Sequence, residues 1–141
     1  MKKALILVLA ALVIPSAALA AKPAKPSHGP KAPKQVTYKL KGWLSAYSPY
    51  DSVTPQNGSI TILVKSVKGR HGKSLKGATL TFPVDANTKI SLTHHATAIT
   101  DGDRGSIKVR AAKDIPVADL AATLQLSPAA KIKDNGAPKS S

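Results

Sequence analysis

A mainly β fold is what this sequence predicts, and three observations carry the prediction. Apolar and polar residues alternate strictly through residues 36–47. Further short alternating runs recur down the chain, separated by turns rich in Gly, Pro, Asn and Asp. Only one stretch, residues 115–126, spaces its apolar residues as a helix does. Short strands at this interval, with turn signals between them and little helix, are the pattern of a small barrel or sandwich. The expected architecture is a five-stranded Greek-key barrel of OB type with one short helix; a small β-sandwich is the alternative.

The first strand is read from "VTYKLKGWLSAY". Val36, Tyr38, Leu40, Leu44 and Ala46 fall on one face, and Thr37, Lys39, Lys41, Trp43, Ser45 and Tyr47 on the other. Gly42 sits in the apolar register, where strands bend or bulge. "SPYDSVTPQNG" is turn chemistry, and its closing Asn57-Gly58 favours positive φ. In "SITILVKSV", Ile60, Ile62 and Val64 point inward. A basic loop, "KGRHGKSLKG", leads to "ATLTFPV", with Leu80, Phe82 and Val84 inward. Pro83 lacks an N–H, which assigns that strand to an edge or a bulge. "DANT" turns the chain into a short run, "KISL". "ITDGDRGSIKVR" begins as a tight turn and continues as a strand, with Ile107, Val109 and Ala111 inward and Ser106, Lys108 and Arg110 outward. Val117, Leu120, Ala121 and Leu124 then recur at helical spacing, with Pro116 suited to a first turn. "AAKIKD" supplies the last strand.

Ahead of this domain lie two segments of different texture. Met1-Lys2-Lys3, the apolar run "ALILVLAALVI", Pro15 and the small-x-small Ala18-Leu19-Ala20 make a three-part secretory signal with cleavage expected after Ala20. Its apolar run is short of the roughly 20 residues that span a bilayer. Residues 21–34, "AKPAKPSHGPKAPK", read as a Pro/Lys-rich extended, disordered leader. The expected organisation is therefore a signal over 1–20, a leader over 21–34, one domain over 35–134 and a disordered tail over 135–141. The destination is the secreted or periplasmic space of a cell envelope.

Composition bounds the chemistry. No Cys occurs, which removes disulfides, thiolate metal sites, a Cys nucleophile and lipid attachment at a cysteine. The formal charge is +14, and loss of Lys2 and Lys3 with the signal leaves +12. All seven acids are Asp. A cationic exported domain is drawn to anionic polymers such as teichoic acids, lipopolysaccharide, phospholipid headgroups or free nucleic acid.

The succession "LKGWLSAY", "NGSITILVKSV", "GATLTFPVDANTKI" and "DGDRGSIKVRAAKD" resembles a family of small secreted bacterial OB-like domains. The matching positions are Gly42, Thr61 to Val64, Val84, Thr88, Lys89, Ile90, Gly102, Asp103, Ile107 and Val109, so the resemblance spans most of residues 36–112. It implies an OB-like shape and brings no catalytic residues and no ligand.

Candidate sites follow from residue type and spacing. Asp101-Gly102-Asp103 opens like a calcium loop, but an EF-hand also needs an oxygen ligand at position 5, Gly at 6 and Glu at 12. Those positions hold Gly105, Ser106 and Ala112. A tight turn fits better, with Gly102 and Gly105 supplying positive φ and the carboxylates bonding nearby N–H groups. His94 and His95 are neighbours and face opposite sides of a strand, so they do not form a ligand pair. No nucleophile elbow, P-loop or H-E-x-x-H occurs; an OB-fold nuclease is the enzyme class that fold and charge would suit, and it lacks a Glu base. Neither a metal nor a cofactor is expected. Binding surfaces are the better prospect. Lys39, Lys41, Trp43 and Tyr47 interleave cations with aromatics on one strand face, the pattern that stacks bases or sugars. Lys68, Arg70, Lys73 and Lys76 crowd the basic loop, and Lys108 and Arg110 face outward. The expected function is a non-catalytic module that engages an anionic envelope polymer or an envelope protein. Nucleic acid is the less favoured ligand, and a purely structural envelope role is the alternative.

Overall fold

The computed structural model describes residues 29, 31–93 and 96–138. The signal segment, most of the leader, the His94-His95 pair and residues 139–141 lie outside the described residues. The unit from Ala32 onward carries β1 (Gln35–Ser48), β2 (Gly58–Lys68), β3 (Thr79–Val84), β4 (Lys89–Ser91), β5 (Arg104–Ala112), α1 (Leu120–Leu126) and β6 (Ala129–Asp134). Single 3-10 turns cover Gly72–Leu75 and Val117–Asp119.

All six strands join one sheet in the order β3-β2-β1-β5-β6-β4. Every neighbouring pair is antiparallel except β4 with β6. The mainly β class is thus observed, and the single sheet replaces the two-sheet alternative. The expected five-stranded closed barrel is not formed. Among the described residues six strands pair, and no ladder joins the edge strands β3 and β4. The division comes at the Asp85–Thr88 turn. Asp85 N–H donates to Thr88 Oγ1, and Asn87 N–H to Asp85 Oδ1. Past this turn the chain leaves β2 and lies parallel to β6.

The inner face follows the alternation. Leu40, Leu44, Ile60, Ile62, Val64, Phe82, Ile107, Val109 and Ile132 have no exposed surface, and Tyr38, Leu80 and Val84 have almost none. Each such side chain contributes on the order of 1.5–3 kcal/mol on burial. The seven-residue α1, the one α-helix among the described residues, is too short to cover this face. Leu120 and Leu124 pack from it, Leu75 and Ile115 from the loops, and the sheet supplies the rest by curling, so that β3 and β6 meet across the core. Val117, expected on the buried helical stripe, is instead about half exposed, because the first turn is a 3-10 turn with a different side-chain period.

Two bends shape β1. Its register with β2 shifts between Lys41 and Gly42 and again between Ser45 and Ser48. At the first, a Cβ on Gly42 would lie 1.9 Å from the Leu63 carbonyl oxygen, so only glycine fits. At the second, Ala46 takes φ 47, and its N–H donates to Asp101 Oδ1 at 2.8 Å. The turn before β5 is therefore tied to β1. Leu44 N–H donates to the Asp103 carbonyl, Gly102 N–H to the Leu44 carbonyl, and Thr100 N–H to Asp103 Oδ2. Gly102 has the expected positive φ of 89. Gly105 does not: it is an ordinary residue of β5, and its missing side chain admits Leu44, whose Cδ1 would meet a Cβ at 2.3 Å. Asn57-Gly58 likewise makes no positive-φ turn. The reversal is made by Asp51 and Gln56, and Gly58 simply opens β2.

The two sheet edges are treated differently. On β3, Pro83 has no N–H to offer, and the Thr81 N–H is taken by Gln125 Oε1 of α1 at 3.0 Å. The β4 edge is only three residues long and begins with Lys89.

Candidate functional site

Strand register, not sequence proximity, assembles the charged surface. On the outward face, Lys39 of β1 lies opposite Lys68 of β2 and Lys108 of β5. Lys108 lies opposite Lys131 of β6, and Lys131 opposite Lys89 of β4. Lys68, Lys39, Lys108, Lys131 and Lys89 therefore form one row across five strands. With strands about 4.8 Å apart, the row runs about 19 Å. Adjacent members sit well inside the ~10 Å screening length of 0.1 M salt and act as one field.

The next row alternates. Ser66, Lys41, Ser106, Lys133 and Ser91 are successive partners. Beyond it, Trp43 lies between Leu63 and Arg104, and Arg110 continues the face on the other side, opposite Thr37. Lys65 is the extra residue of the β2 bulge and joins Trp43, Lys41 and Arg104 around a hollow of about 270 Å³.

Like charges placed directly opposite in a sheet repel, and Lys39 records this. Its ammonium is held below the ordinary lysine range, first by partial loss of hydration and then by Lys41, Lys108, Lys133 and Lys68. No carboxylate occupies an outward position on these strands. Asp51, Asp85, Asp101 and Asp103 accept bonds from backbone N–H groups at turns. Asp114 pairs with Arg70, Asp119 precedes α1, and Asp134 lies fully buried on the inner side.

Of the residues expected to form the site, Lys39, Lys41, Trp43, Lys68, Lys108 and Arg110 come together on this face. Tyr47 does not. The bulge at Ala46 exchanges the faces of the last strand residues, so Ala46 points to solvent and Tyr47 packs against the core. Burial raises the Tyr47 phenol above its ordinary value.

The basic loop is a separate structure. It folds onto β2 through buried Gly72 and Leu75. Arg70 donates from Nη1 to Asp114 Oδ1 at 3.0 Å and from Nε to His71. Lys73 and Lys76 remain exposed and belong to no strand of the sheet.

Lys131, Lys133, Lys89, Arg104 and Lys65 are members that sequence reasoning missed. For the first two the signal was present, since an inward Ile132 in "AAKIKD" places both flanking lysines outward.

Compared with known protein families, with curated proteins and with solved structures, the chain matches none, so the face itself carries the functional reading.

Proposed function

We propose that this chain is an exported, non-catalytic binding module that engages an anionic polymer of the cell envelope through the outward face of its sheet. The observation that carries the reading is the five-lysine row from Lys68 to Lys89. A folded protein that aligns five ammonium groups on adjacent strands accepts repulsion, and a polyanion laid across them relieves it. Arg104, Lys65 and Arg110 widen the field, and Trp43 adds a surface on which a ring can stack. Export rests on the three-part signal at the N-terminus.

The relation to secreted OB-like domains belongs to the same reading. Its support is the long β1, paired along both edges, and the single parallel pair β4–β6; OB domains bind oligosaccharides and oligonucleotides across a sheet face.

The test is retention of the folded domain on immobilised anionic envelope polymer at about 50 and about 500 mM salt, where screening differs severalfold in range. Retention should fall steeply with salt and be lost in a Lys39→Ala, Lys108→Ala, Lys131→Ala variant. Retention indifferent to salt, or to the triple substitution, would overturn the reading.

A further inference from the structure

Within the lysine field one hollow is of a different kind from the rest. Lys39, Lys108, Lys131 and Lys133 surround a space of about 90 Å³ whose floor is Ser106. Ser106 itself is nearly buried. At about a third of the volume of the hollow beside Trp43, the space suits a compact oxyanion better than a sugar ring. The hollow beside Trp43, about 270 Å³, is large enough for a ring. The two adjoin, because Ser106 follows Gly105 of the larger hollow and pairs with its Lys41.

We propose that these paired hollows form a subsite for a phosphorylated sugar, with the phosphomonoester among Lys39, Lys108, Lys131 and Lys133 over Ser106 and the attached ring against Trp43. The inference rests on the reading of this face as an anion-binding surface and names the group that it selects. Charge and shape decide for phosphate over carboxylate. A phosphomonoester carries about −1.5 to −2 at pH 7 and three splayed acceptor oxygens. A carboxylate carries a single charge on two coplanar oxygens. Here the lining residues come from three strands, β1, β5 and β6, each lysine bringing three N–H groups and the serine one O–H.

The experiment titrates the full domain with glucose 6-phosphate, glucuronate, inorganic phosphate and glucose, each at one ionic strength, and repeats the series with Ser106→Val and Trp43→Ala. Valine suits a strand, fills the small hollow and leaves all four lysines in place; thermal melting checks that it folds. Glucose 6-phosphate should bind about tenfold tighter than glucuronate and several times tighter than inorganic phosphate. Its binding should weaken as pH falls below about 6, where the ligand loses its second charge. Ser106→Val should abolish the preference for phosphate over carboxylate, and Trp43→Ala the preference for glucose 6-phosphate over inorganic phosphate. Equal affinity for glucose 6-phosphate and glucuronate, or a preference that survives Ser106→Val, would overturn the proposal. If the valine variant does not fold, the ligand ranking and its pH dependence in the unaltered chain decide alone. Salt-dependent retention on polymer, measured on the same samples, separates the two readings. Retention with no phosphate preference removes the subsite and keeps the face, and loss of salt dependence removes the face.

Discussion

The sheet face and the 69–77 loop look alike as sequence, since both are dense in Lys and Arg, yet the fold treats them in opposite ways. The loop is compact and partly neutralised: Arg70 pairs with Asp114 and touches His71, and Leu75 anchors the segment to the core. The face collects its cations from five strands that are distant in sequence, and no carboxylate stands among them. Local density of basic residues is thus a poor guide to where unneutralised charge accumulates. Cross-strand register is the better one.

The most disruptive way to test this contrast is to neutralise each region in turn. Lys39→Ala, Lys108→Ala, Lys131→Ala should weaken salt-sensitive retention on an anionic polymer about tenfold or more, because the removed charges share one field. Arg70→Ala, Lys73→Ala, Lys76→Ala should change it less than about threefold on the same grounds. Equal losses would erase the distinction.

A smaller effect is expected from the backbone that builds the face. Gly42→Ala forces a Cβ against the Leu63 carbonyl and should destabilise the domain by about 1–3 kcal/mol, read by denaturant unfolding. If its stability is unchanged, the bend in β1 is more tolerant than the packing implies.

Smaller still is the consequence of freeing the loop. Arg70 and Asp114 are both largely exposed, so their ion pair contributes under about 1 kcal/mol. Asp114→Ala should leave unfolding nearly unchanged while modestly raising retention, since it releases one guanidinium. A large drop in stability would mean that the loop depends on the pair.

The least of these effects is in pH. Folding lowers the Lys39 pKa, so the charged form is disfavoured in the folded state. That cost is fully present below the folded pKa and fades as pH rises through it toward the ordinary value of 10.5. Relative to Lys39→Thr, the unaltered domain should gain stability on the alkaline side, and a melting series across that window measures it. A constant difference would show that Lys39 titrates normally.

Much of the fold was legible because burial on one side imposes a period of two. The inward residues of β2, β3 and β5 stand where alternation put them, and Pro83 correctly marked an edge. What escaped was everything decided by contacts between distant segments. Ala46 and Tyr47 obey the alternation in sequence but not in space, since the bulge there is held by Asp101, more than fifty residues away. No local pattern announces that β4 pairs parallel with β6, nor that the sheet stays open between β3 and β4. The candidate site divides along the same line. Lys39, Lys41, Trp43 and Lys108 were found strand by strand, while the row itself exists only once registers are known, and Lys89 and Lys131 came into view with it.

The capped β3 edge has a consequence for how copies of this protein behave together. An open sheet offers two rims on which a foreign strand can continue the hydrogen-bond pattern. Here one rim has lost a donor to Pro83 and has another occupied by Gln125, and the other rim is three residues long and headed by Lys89. Growth of one molecule's sheet into the next is thus disfavoured at both ends. Molecules at high concentration should therefore stay separate and not fuse into a fibre.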